Sequence, residues 1–294
     1  MASSRPRASL IYNPKAGRRS HGQTIGRIQA ALRTAYDVVA MPTEGPRHAI
    51  ELARAAAHRS DEAVFAWGGD GTVREVVEGI LGAPIALGVL PGGTFNVVAL
   101  AVGVPRRDPI RAAQMLATAH PRLRDVGLIG DTPFLMQTTI GLDGFIMHGM
   151  RADMKARFGL MGALICGLRS FSSYRFPTFD VEVDGATHSV RGAGFVNMAE
   201  YAGSYQYVPG ARWDDRTAHA LLYSGRTHFA TLSFAVSMAL GRHHLRGDVR
   251  IVEAKQMVVR SGPNVFVQTD GDVWEGALPA TCRLAKDQIN VLIP

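Results

Sequence analysis

The chain has 294 residues, and because a single hydrophobic core usually stops growing near that length, two domains are expected. Hydrophobic residues make up 47% and charged residues 19%, a balance that excludes disorder over most of the chain. The formal net charge of +7 either keeps a soluble protein away from its isoelectric point or indicates a negatively charged partner: anionic lipids, nucleotide phosphates or nucleic acid. Composition alone does not choose among these.

Residues 1–105 alternate strand patterns with helix patterns, joined by short links. The predicted strands are Ser9–Tyr12, Tyr36–Met41, Ala63–Trp67 and Ile85–Leu90, and the predicted helices are Gln23–Arg33, His48–His58, Val73–Leu81 and Phe95–Val102. Because each connecting helix must cover a face of a parallel sheet, this alternation predicts a doubly wound α/β domain, which we assign to residues 1–127.

Short strand patterns separated by turn residues dominate the chain from about Val126 onward. Strands are predicted at Phe134–Ile140, Thr178–Val183, Gly194–Met198, Ala220–Tyr223, Val249–Ala254, Met257–Arg260, Val265–Gln268 and Ile289–Leu292, with helices at Lys155–Phe171 and Thr227–Leu240. We expect a mostly antiparallel, β-sandwich-like domain over residues 128–294. The last strand, about 287–294, is a candidate to return to the first domain.

Cysteine content and hydropathy indicate the cellular compartment of the protein. Cys166 and Cys282 fit neither a disulfide framework nor a zinc-binding spacing, which favours a reducing cytoplasm. The N terminus lacks the apolar core of a signal peptide. The longest apolar stretches, Phe158–Leu168 and Phe229–Gly241, are shorter than the ~20 residues that span a bilayer. We therefore expect a cytoplasmic protein that is not integral to a membrane.

The glycine-rich loop Gly68–Thr72 lies directly between a predicted strand and a predicted helix. Its glycines permit a tight turn and a close approach to a ligand, and N–H groups at a helix start favour phosphate. Asp70 would contact phosphates through a cation, and Mg²⁺ prefers one or two carboxylates together with phosphate oxygens. The alternative is a capping box formed by Thr72 and Glu75, which leaves the three glycines unexplained.

Two further loops follow predicted strands, and ligands of open parallel sheets bind where strands end. In Pro91–Asn96, two glycines expose backbone while a threonine and an asparagine offer polar groups. In Asn13–Gly17, Lys15 could hold a phosphate or be merely solvated. The chain contains neither a P-loop motif nor a G-x-G-x-x-G fingerprint, so a nucleotide would be bound by another route.

These motifs, in this order, resemble the diacylglycerol kinase catalytic domain family, which comprises bacterial lipid kinases and is related to sphingosine and ceramide kinases. The matching elements are Asn13–Gly17, Gly68–Thr72, Pro91–Asn96 and Thr269–Asp272, with weaker similarity at Thr43–Ala49, Arg124–Gly127 and Gly141–Gly144. The Gly68–Thr72 motif also occurs in NAD kinases. The Pro91–Asn96 and Thr269–Asp272 motifs are more specific to the lipid kinases.

The resemblance implies a kinase that transfers the ATP γ-phosphate to the hydroxyl of a lipid, diacylglycerol-like by expectation, in a cleft between the two domains. ATP and Mg²⁺ are the implied cofactors. The implied nucleotide-binding residues are Asn13, Pro14, Lys15, Gly17, Thr43, Gly68, Gly69, Asp70, Gly71, Thr72, Glu75, Gly93, Thr94 and Asn96. Asp70 would act through Mg²⁺ bound to ATP, Asp270 as general base, and Asp272 in support of Asp270. A plain hairpin turn at Asp270-Gly271 is the alternative to the base role.

The sequence departs from the family pattern at several positions. Asp272 stands where the family usually has glutamate. Arg216 and His219 stand where a structural magnesium site of some members has glycine and aspartate. Asp215 is the remaining candidate metal ligand there, and we do not expect the second ion to bind.

A lipid substrate and peripheral contact with an anionic membrane are the expected partners. Arg242, His243, His244 and Arg246 follow the apolar segment Phe229–Leu240 and suit anionic head groups, although both apolar helices could equally be core helices. Nucleic acid is not expected as a partner, because no groove-reading motif is present. A homodimer is left open.

Two other functions stay open on the sequence alone. One is a kinase for a soluble acceptor, related to NAD kinase. The other is an inactive nucleotide- or lipid-binding module, which the substitutions at Asp272, Arg216 and His219 suggest. Among lipids, diacylglycerol, phosphatidylglycerol, a sphingoid base and an isoprenoid or glycolipid alcohol all remain possible acceptors.

Overall fold

The computed structural model describes residues 5–14, 21–149, 171–201, 205–260, 262 and 265–294. The chain divides into two compact units, residues 1–125 with 286–294 and residues 126–285. The first and last residues of the second unit are hydrogen-bonded, since the Ala285 N–H donates to the Val126 carbonyl at 2.7 Å. The predicted helix Lys155–Phe171 lies outside the described residues except for Phe171. In the described part of the chain, no helix is long and apolar enough to cross a membrane.

The first unit begins with alternating strands and helices. These are β1 (Arg7–Tyr12), α1 (His21–Leu32), β2 (Asp37–Pro42), α2 (His48–His58), β3 (Ala63–Gly68), α3 (Asp70–Ile80), β4 (Ala86–Pro91), α4 (Val97–Ala101), α5 (Pro109–Leu116) and β5 (His120–Arg124). Strands β1 to β4 are parallel and lie in the order β2-β1-β3-β4. Every residue of β3 and β4 is buried, as expected of central parallel strands covered on both faces.

The helices cover both faces of this sheet. The connection from β1 to β2 leads toward one edge of the sheet, whereas the connections from β2 to β3 and from β3 to β4 lead toward the other. Because such connections are right-handed, α1 lies on one face of the sheet and α2 and α3 lie on the other. In agreement, α2 packs on α3, and α1 packs on α5. Helix α5 was not predicted, although its start is well marked: the Asp108 carboxylate accepts from the Ile110 and Arg111 N–H groups, and Pro109 occupies the first helical position.

The second unit contains antiparallel strands and few helices. The strands are β6 (Gly127–Ile129), β7 (Thr132–Phe134), β8 (Gln137–Ile140), β9 (Phe179–Val183), β10 (Ala186–Val190), β11 (Gly192–Val196), β12 (Glu200–Tyr201), β13 (Tyr205–Gln206), β14 (Ala218–Tyr223), β15 (Val249–Ala254), β16 (Gln256–Val259), β17 (Val267–Thr269), β18 (Asp272–Val273) and β19 (Ala280–Leu284). The described helices are α6 (Leu142–Gly149), α7 (His228–Ala239) and a 3-10 turn at His243–Leu245.

Two sheets enclose the core of this unit. One has the order β10-β9-β16-β19-β6-β7 and the other β15-β14-β11-β8-β17-β18. Their apolar inner faces meet, as the perpendicular rings of Phe134 and Phe195 show, with centroids 6.4 Å apart. The fold class predicted from the sequence, a parallel α/β domain followed by an antiparallel β domain, is confirmed.

The last strand, β20 (Ile289–Ile293), belongs to the sheet of the first unit. It pairs in parallel with β4 and antiparallel with β5. Strand β5 is an exposed edge strand with a proline at its second residue. Its sequence therefore lacks the alternation of apolar and polar residues that predicts a strand.

Candidate functional site

The carboxyl ends of four parallel strands meet at one edge of the first-unit sheet. Tyr12 lies beside Pro42 on one side and beside Trp67 on the other, and Gly68 lies beside Pro91. The residues that follow these strand ends are Asn13, Thr43, Gly69 and Gly92. Strand order reverses between β1 and β3, and ligands of doubly wound sheets bind at such a switch point. The structure thus brings together three predicted loops that are far apart in the sequence.

Backbone hydrogen bonds join the end of β1 to the ends of β3 and β2. The Asn13 N–H donates to the Trp67 carbonyl at 3.2 Å, and the Thr43 N–H donates to the Tyr12 carbonyl at 2.8 Å. Asn13, Pro14 and the buried Thr43 therefore lie on the predicted edge. Lys15 and Gly17, predicted to bind the nucleotide with them, lie outside the described residues.

The two glycine-rich loops pack directly against each other. The Gly92 N–H donates to the Gly68 carbonyl at 2.8 Å. A Cβ atom on Gly93 would lie 2.5 Å from the Gly69 Cα, and one on Gly92 would lie 3.0 Å from the Gly68 Cα. Sequence analysis attributed these glycines to a close approach of a ligand. The structure shows that contact between the two backbones already requires them.

The replacement Gly93→Ala tests this packing. Because the added methyl meets the Gly69 backbone, we expect a loss of about 1–3 kcal/mol in the free energy of unfolding, typical of overpacking. Gly26→Ala in helix α1 is the matched control, since no atom lies within 4 Å of its added Cβ. It should leave stability unchanged or raise it by up to about 1 kcal/mol. Equal urea midpoints for both variants would contradict the packing argument.

Asp70 is the first residue of α3 and ties its loop to the next helix. Its Oδ1 accepts from the Val98 N–H, at the start of α4, at 3.0 Å. Burial raises the pKa of the Asp70 carboxyl, although backbone N–H groups and the charge of Arg106 oppose the shift. The ionised carboxylate therefore lies where a cation would stabilise it.

The capping-box alternative for this loop is wrong. Helix α3 begins at Asp70, so Thr72 lies inside the first turn rather than before it. Glu75 instead accepts from the Arg47 N–H at 3.0 Å. Gly69, which precedes the helix, has no side chain to cap it, and in the described structure no side chain takes that role. The first N–H groups of α3 can therefore receive an anion.

The Asn96 side chain holds the Pro91–Asn96 loop in shape. Its Oδ1 accepts from the Gly93 N–H at 2.8 Å, and its Nδ2 donates to the carbonyls of Gly93 and Arg106 at 2.9 and 2.8 Å. Asn96 is buried with a left-handed backbone, whereas Gly93 and Thr94 are exposed. Because Asn96 bonds both backbone groups of Gly93, Thr94 is the predicted contact of this loop that offers a polar side chain to a ligand.

Asp270 of the second unit lies in the hairpin turn that was the alternative to its predicted role as general base. Asp270 and Gly271 have φ values of 48° and 82° and form the two-residue turn between β17 and β18. The buried Asp270 carboxylate also accepts from three successive backbone N–H groups, those of Leu135, Met136 and Gln137, at 2.7, 2.9 and 3.2 Å. Hydrogen bonds of this kind favour the ionised form and fix both oxygens in place.

A chain of hydrogen bonds links this turn to a second carboxylate. Gln268 accepts from the Gly271 N–H at 2.7 Å and donates to Thr139 Oγ1 at 2.5 Å. The hydroxyls of Thr139 and Tyr201 both donate to Asp143 Oδ2, at 3.3 and 3.0 Å. Gly141–Gly144 was predicted only as a motif similar to the family pattern, and no role was predicted for Asp143, because its partners are distant in the chain.

Comparison with known proteins decides the family. The family model described as the diacylglycerol kinase catalytic domain matches residues 7–129. The model described as the YegS C-terminal NAD kinase beta sandwich-like domain matches residues 139–293. The chain belongs to the family of two-domain proteins in which a diacylglycerol kinase catalytic domain precedes a YegS C-terminal NAD kinase beta sandwich-like domain.

Relatives within this family cover the whole chain. A diacylglycerol kinase from Bacillus subtilis (strain 168) is 26% identical over 297 residues, 98% of this chain and 96% of the relative. One from Staphylococcus aureus (strain MRSA252) is 27% identical over 298 residues, 99% of this chain and 93% of the relative. A solved structure of a diacylglycerol kinase from Bacillus anthracis str. Sterne has a TM-score of 0.80 at 23% identity, covering 98% and 97% of the two chains.

Burial governs the ionisation of Asp143 in the second unit. Burial raises the pKa of the Asp143 carboxyl, and the hydrogen bonds from Tyr201 and Thr139 only partly oppose that shift. Burial and the nearby Asp143 charge raise the pKa of Tyr174 to about 12. The ionised Asp143 therefore destabilises the folded unit relative to its protonated form.

This shift gives a pH-dependent prediction for Asp143→Asn. The stability associated with protonated Asp143 is present below its ordinary pKa of 3.8 and is lost as pH rises through the raised folded-state value. Asparagine keeps an oxygen for Tyr201 and Thr139 but carries no charge. The advantage of Asp143→Asn in free energy of unfolding should therefore grow as pH rises above about 4 and level off above the raised folded-state pKa. The same substitution at the exposed Asp180 is the control; parallel pH curves for wild type and Asp143→Asn would contradict the burial argument.

The departures from the family pattern have local structural consequences. Arg216 has a φ of 59°, a left-handed conformation that suits the glycine of the family pattern, and its guanidinium donates to the Ala285 carbonyl at 2.9 Å. The exposed Asp215 carboxylate accepts from the Thr217 N–H at 3.0 Å, which forms a local turn. Asp272 is partly buried in β18, opposite Thr269.

Proposed function

We propose that this protein is an ATP-dependent lipid kinase that transfers the γ-phosphate of ATP to the hydroxyl of a diacylglycerol-like lipid. The observation that carries the proposal is the pair of packed glycine loops beside the uncapped start of α3, at the switch point of the first-unit sheet. The relatives named diacylglycerol kinase, which align with nearly the whole chain, support the lipid acceptor.

In this proposal the first unit binds the nucleotide. The N–H groups at the start of α3 and the hydroxyl of the exposed Thr94 would bind phosphate oxygens, while Gly93 would let the phosphate approach closely. The partly buried Asp70 carboxylate fits a divalent cation, because burial disfavours its charge when no cation is near. Mg²⁺ bound there with ATP would neutralise phosphate charge. Asn13, Thr43 and Thr72 are the remaining proposed contacts.

The second unit would supply the general base. Phosphoryl transfer forms a bond between the acceptor oxygen and the γ-phosphorus and breaks the bond to the leaving ADP oxygen. The hydroxyl proton would pass to the Asp270 carboxylate. Because three N–H donors favour the ionised carboxylate, we expect Asp270 to take the proton only as the new bond forms. Asp272, two residues further on, would support the charge of Asp270.

A kinase with a soluble acceptor is the second candidate. The observation in its favour is the second matched family description, which names an NAD kinase beta sandwich-like domain. An inactive binding module is the third. Phosphate transfer separates the two kinases from the inactive module, and the identity of the acceptor separates the two kinases from each other.

Transfer of labelled γ-phosphate from ATP tests the proposal. The full chain would be assayed with Mg²⁺ and a panel of diacylglycerol, phosphatidylglycerol, sphingosine, an isoprenoid alcohol and NAD. Label in one lipid class, dependent on Mg²⁺, is the expected result. Label in NAD alone would establish the soluble-acceptor kinase instead. Tight ATP binding with no label in any acceptor would refute the kinase proposal and favour the binding module.

A further inference from the structure

Helix α7 is apolar on two opposite faces. None of its residues, His228–Ala239, is aspartate, glutamate, lysine or arginine. Its inner face packs on the second unit through Thr231, Phe234 and Met238. The Thr231 hydroxyl lies 3.0 Å from the Tyr223 hydroxyl, and the rings of Phe234 and Tyr223 lie 4.9 Å apart. This face accounts for the attachment of the helix to the sheet.

The outer face carries large apolar side chains in water. Phe229 is 80% exposed, Leu232 57%, Val236 54% and Leu240 66%. Their spacing of three or four residues places them in one stripe opposite the inner face. Leu245 in the following 3-10 turn is 73% exposed. Single exposed apolar residues are ordinary, but a continuous stripe of this kind marks an interaction surface.

The charges around this stripe are positive. Residues 226–247 contain no aspartate or glutamate, and Arg226 and Arg242, just before and just after the helix, are exposed together with His244. A second copy of the chain docked through the same face would meet the same positive charges and no acidic partner within this stretch. An anionic surface complements them.

The structure corrects the basic cluster predicted from the sequence. His243 is fully buried and its Nε2 lies 2.9 Å from the Tyr207 carbonyl, while burial lowers its pKa. Arg246 pairs with Asp248 at 2.8 Å and bonds Ser233. Only Arg242 and His244 of the four predicted residues present their side chains to solvent.

We propose that the outer face of α7 inserts into the surface of an anionic lipid bilayer. Phe229, Leu232, Val236 and Leu240 would enter the boundary between head groups and acyl chains, with Arg226 and Arg242 against lipid phosphates. The choice of a bilayer over a protein partner rests on the proposed function, because a diacylglycerol-like acceptor resides in a bilayer.

Vesicle co-sedimentation of the full chain tests the surface. Binding to phosphatidylcholine vesicles containing phosphatidylglycerol should fall about tenfold or more in the double variant Phe229→Ser, Leu232→Ser, because two large side chains no longer insert. Arg242→Ser should weaken binding about fivefold to these vesicles and leave binding to pure phosphatidylcholine unchanged. Leu123→Ser, which removes another exposed leucine at 53% exposure, is the matched control and should bind as wild type.

Two further measurements separate the possible outcomes. Thermal unfolding verifies that the variants fold, and sedimentation velocity follows self-association. Vesicle binding unchanged in the double variant, or loss of a dimer in place of lost vesicle binding, would overturn the membrane surface.

Phosphate transfer to a short-chain acceptor without vesicles should be equal in wild type and the double variant. If α7-dependent binding occurs without any transfer, the proposed function fails while the membrane surface stands.

Discussion

Asp70→Asn should lower phosphate transfer about 100- to 1,000-fold while leaving the first unit as stable as wild type or more stable. Asparagine can still accept from the Val98 N–H, so the tie between the loop and α4 is preserved. Burial raises the pKa of Asp70, and the stability associated with its protonated form is lost as pH rises through that value. At neutral pH wild type therefore carries the cost of a buried charge, which the variant lacks.

Asp61→Asn is the matched control, because Asp61 is a hydrogen-bonded aspartate near the start of β3, whereas Asp70 follows the end of the same strand. Asp61 precedes β3 and accepts from the Ser9 hydroxyl at 2.5 Å and from the Arg59 guanidinium at 3.1 Å. Its replacement should lower stability by about 1–3 kcal/mol and leave transfer nearly unchanged. Labelled-phosphate assays and chemical unfolding of both variants provide the comparison. Full transfer activity in Asp70→Asn would remove the proposed role of this carboxylate in holding a cation.

Asp270→Ala should destabilise the second unit by about 3–5 kcal/mol, a large effect for one side chain. The change removes the acceptor of three buried N–H groups, on Leu135, Met136 and Gln137, each of which then lacks its partner. The more conservative Asp270→Asn should retain more stability and still lose transfer by about 100- to 10,000-fold if the carboxylate is the general base.

Asp184 offers a closely matched control for this prediction. It has the same φ of 48°, is followed by a glycine in the turn between β9 and β10, and accepts from the N–H groups of Lys255 and Gln256. Because Asp184 is exposed, water can replace the lost acceptor, and Asp184→Ala should cost only about 1 kcal/mol with no loss of transfer. Similar unfolding free energies for the two alanine variants would show that burial of the three N–H groups does not increase the cost of losing the Asp270 carboxylate.

Asp270 also shows why the candidate site could be predicted only in part. The motif identified the residue, and the turn followed from Asp-Gly chemistry. Its partners did not follow, since they are backbone groups more than a hundred residues earlier. The predicted strand Phe134–Ile140 is in fact divided between two sheets, β7 and β8, and the break at Leu135 and Met136 is where the Asp270 carboxylate bonds.

The same contrast holds in the first unit. Strands β3 and β4 were predictable because they are buried on both faces and read as continuous apolar runs. Strand β5 and helix α5 were missed: the first is polar and exposed, and the second is marked only by its Asp108-Pro109 start. The glycines of both loops were correctly singled out, but the contact between Gly69 and Gly93 was not foreseeable from either loop alone.

The sequence was sufficient for the parallel strands and helices of residues 7–101, the loops that end those strands, and the family, because local periodicity and short motifs carry that information. Tertiary structure alone decided which groups these residues contact: the backbone cradle of Asp270, the buried position of His243, the exposed stripe of α7 and the pairing of β20. The physical reason is that burial and hydrogen-bond partners depend on segments distant in the chain, which no local pattern encodes.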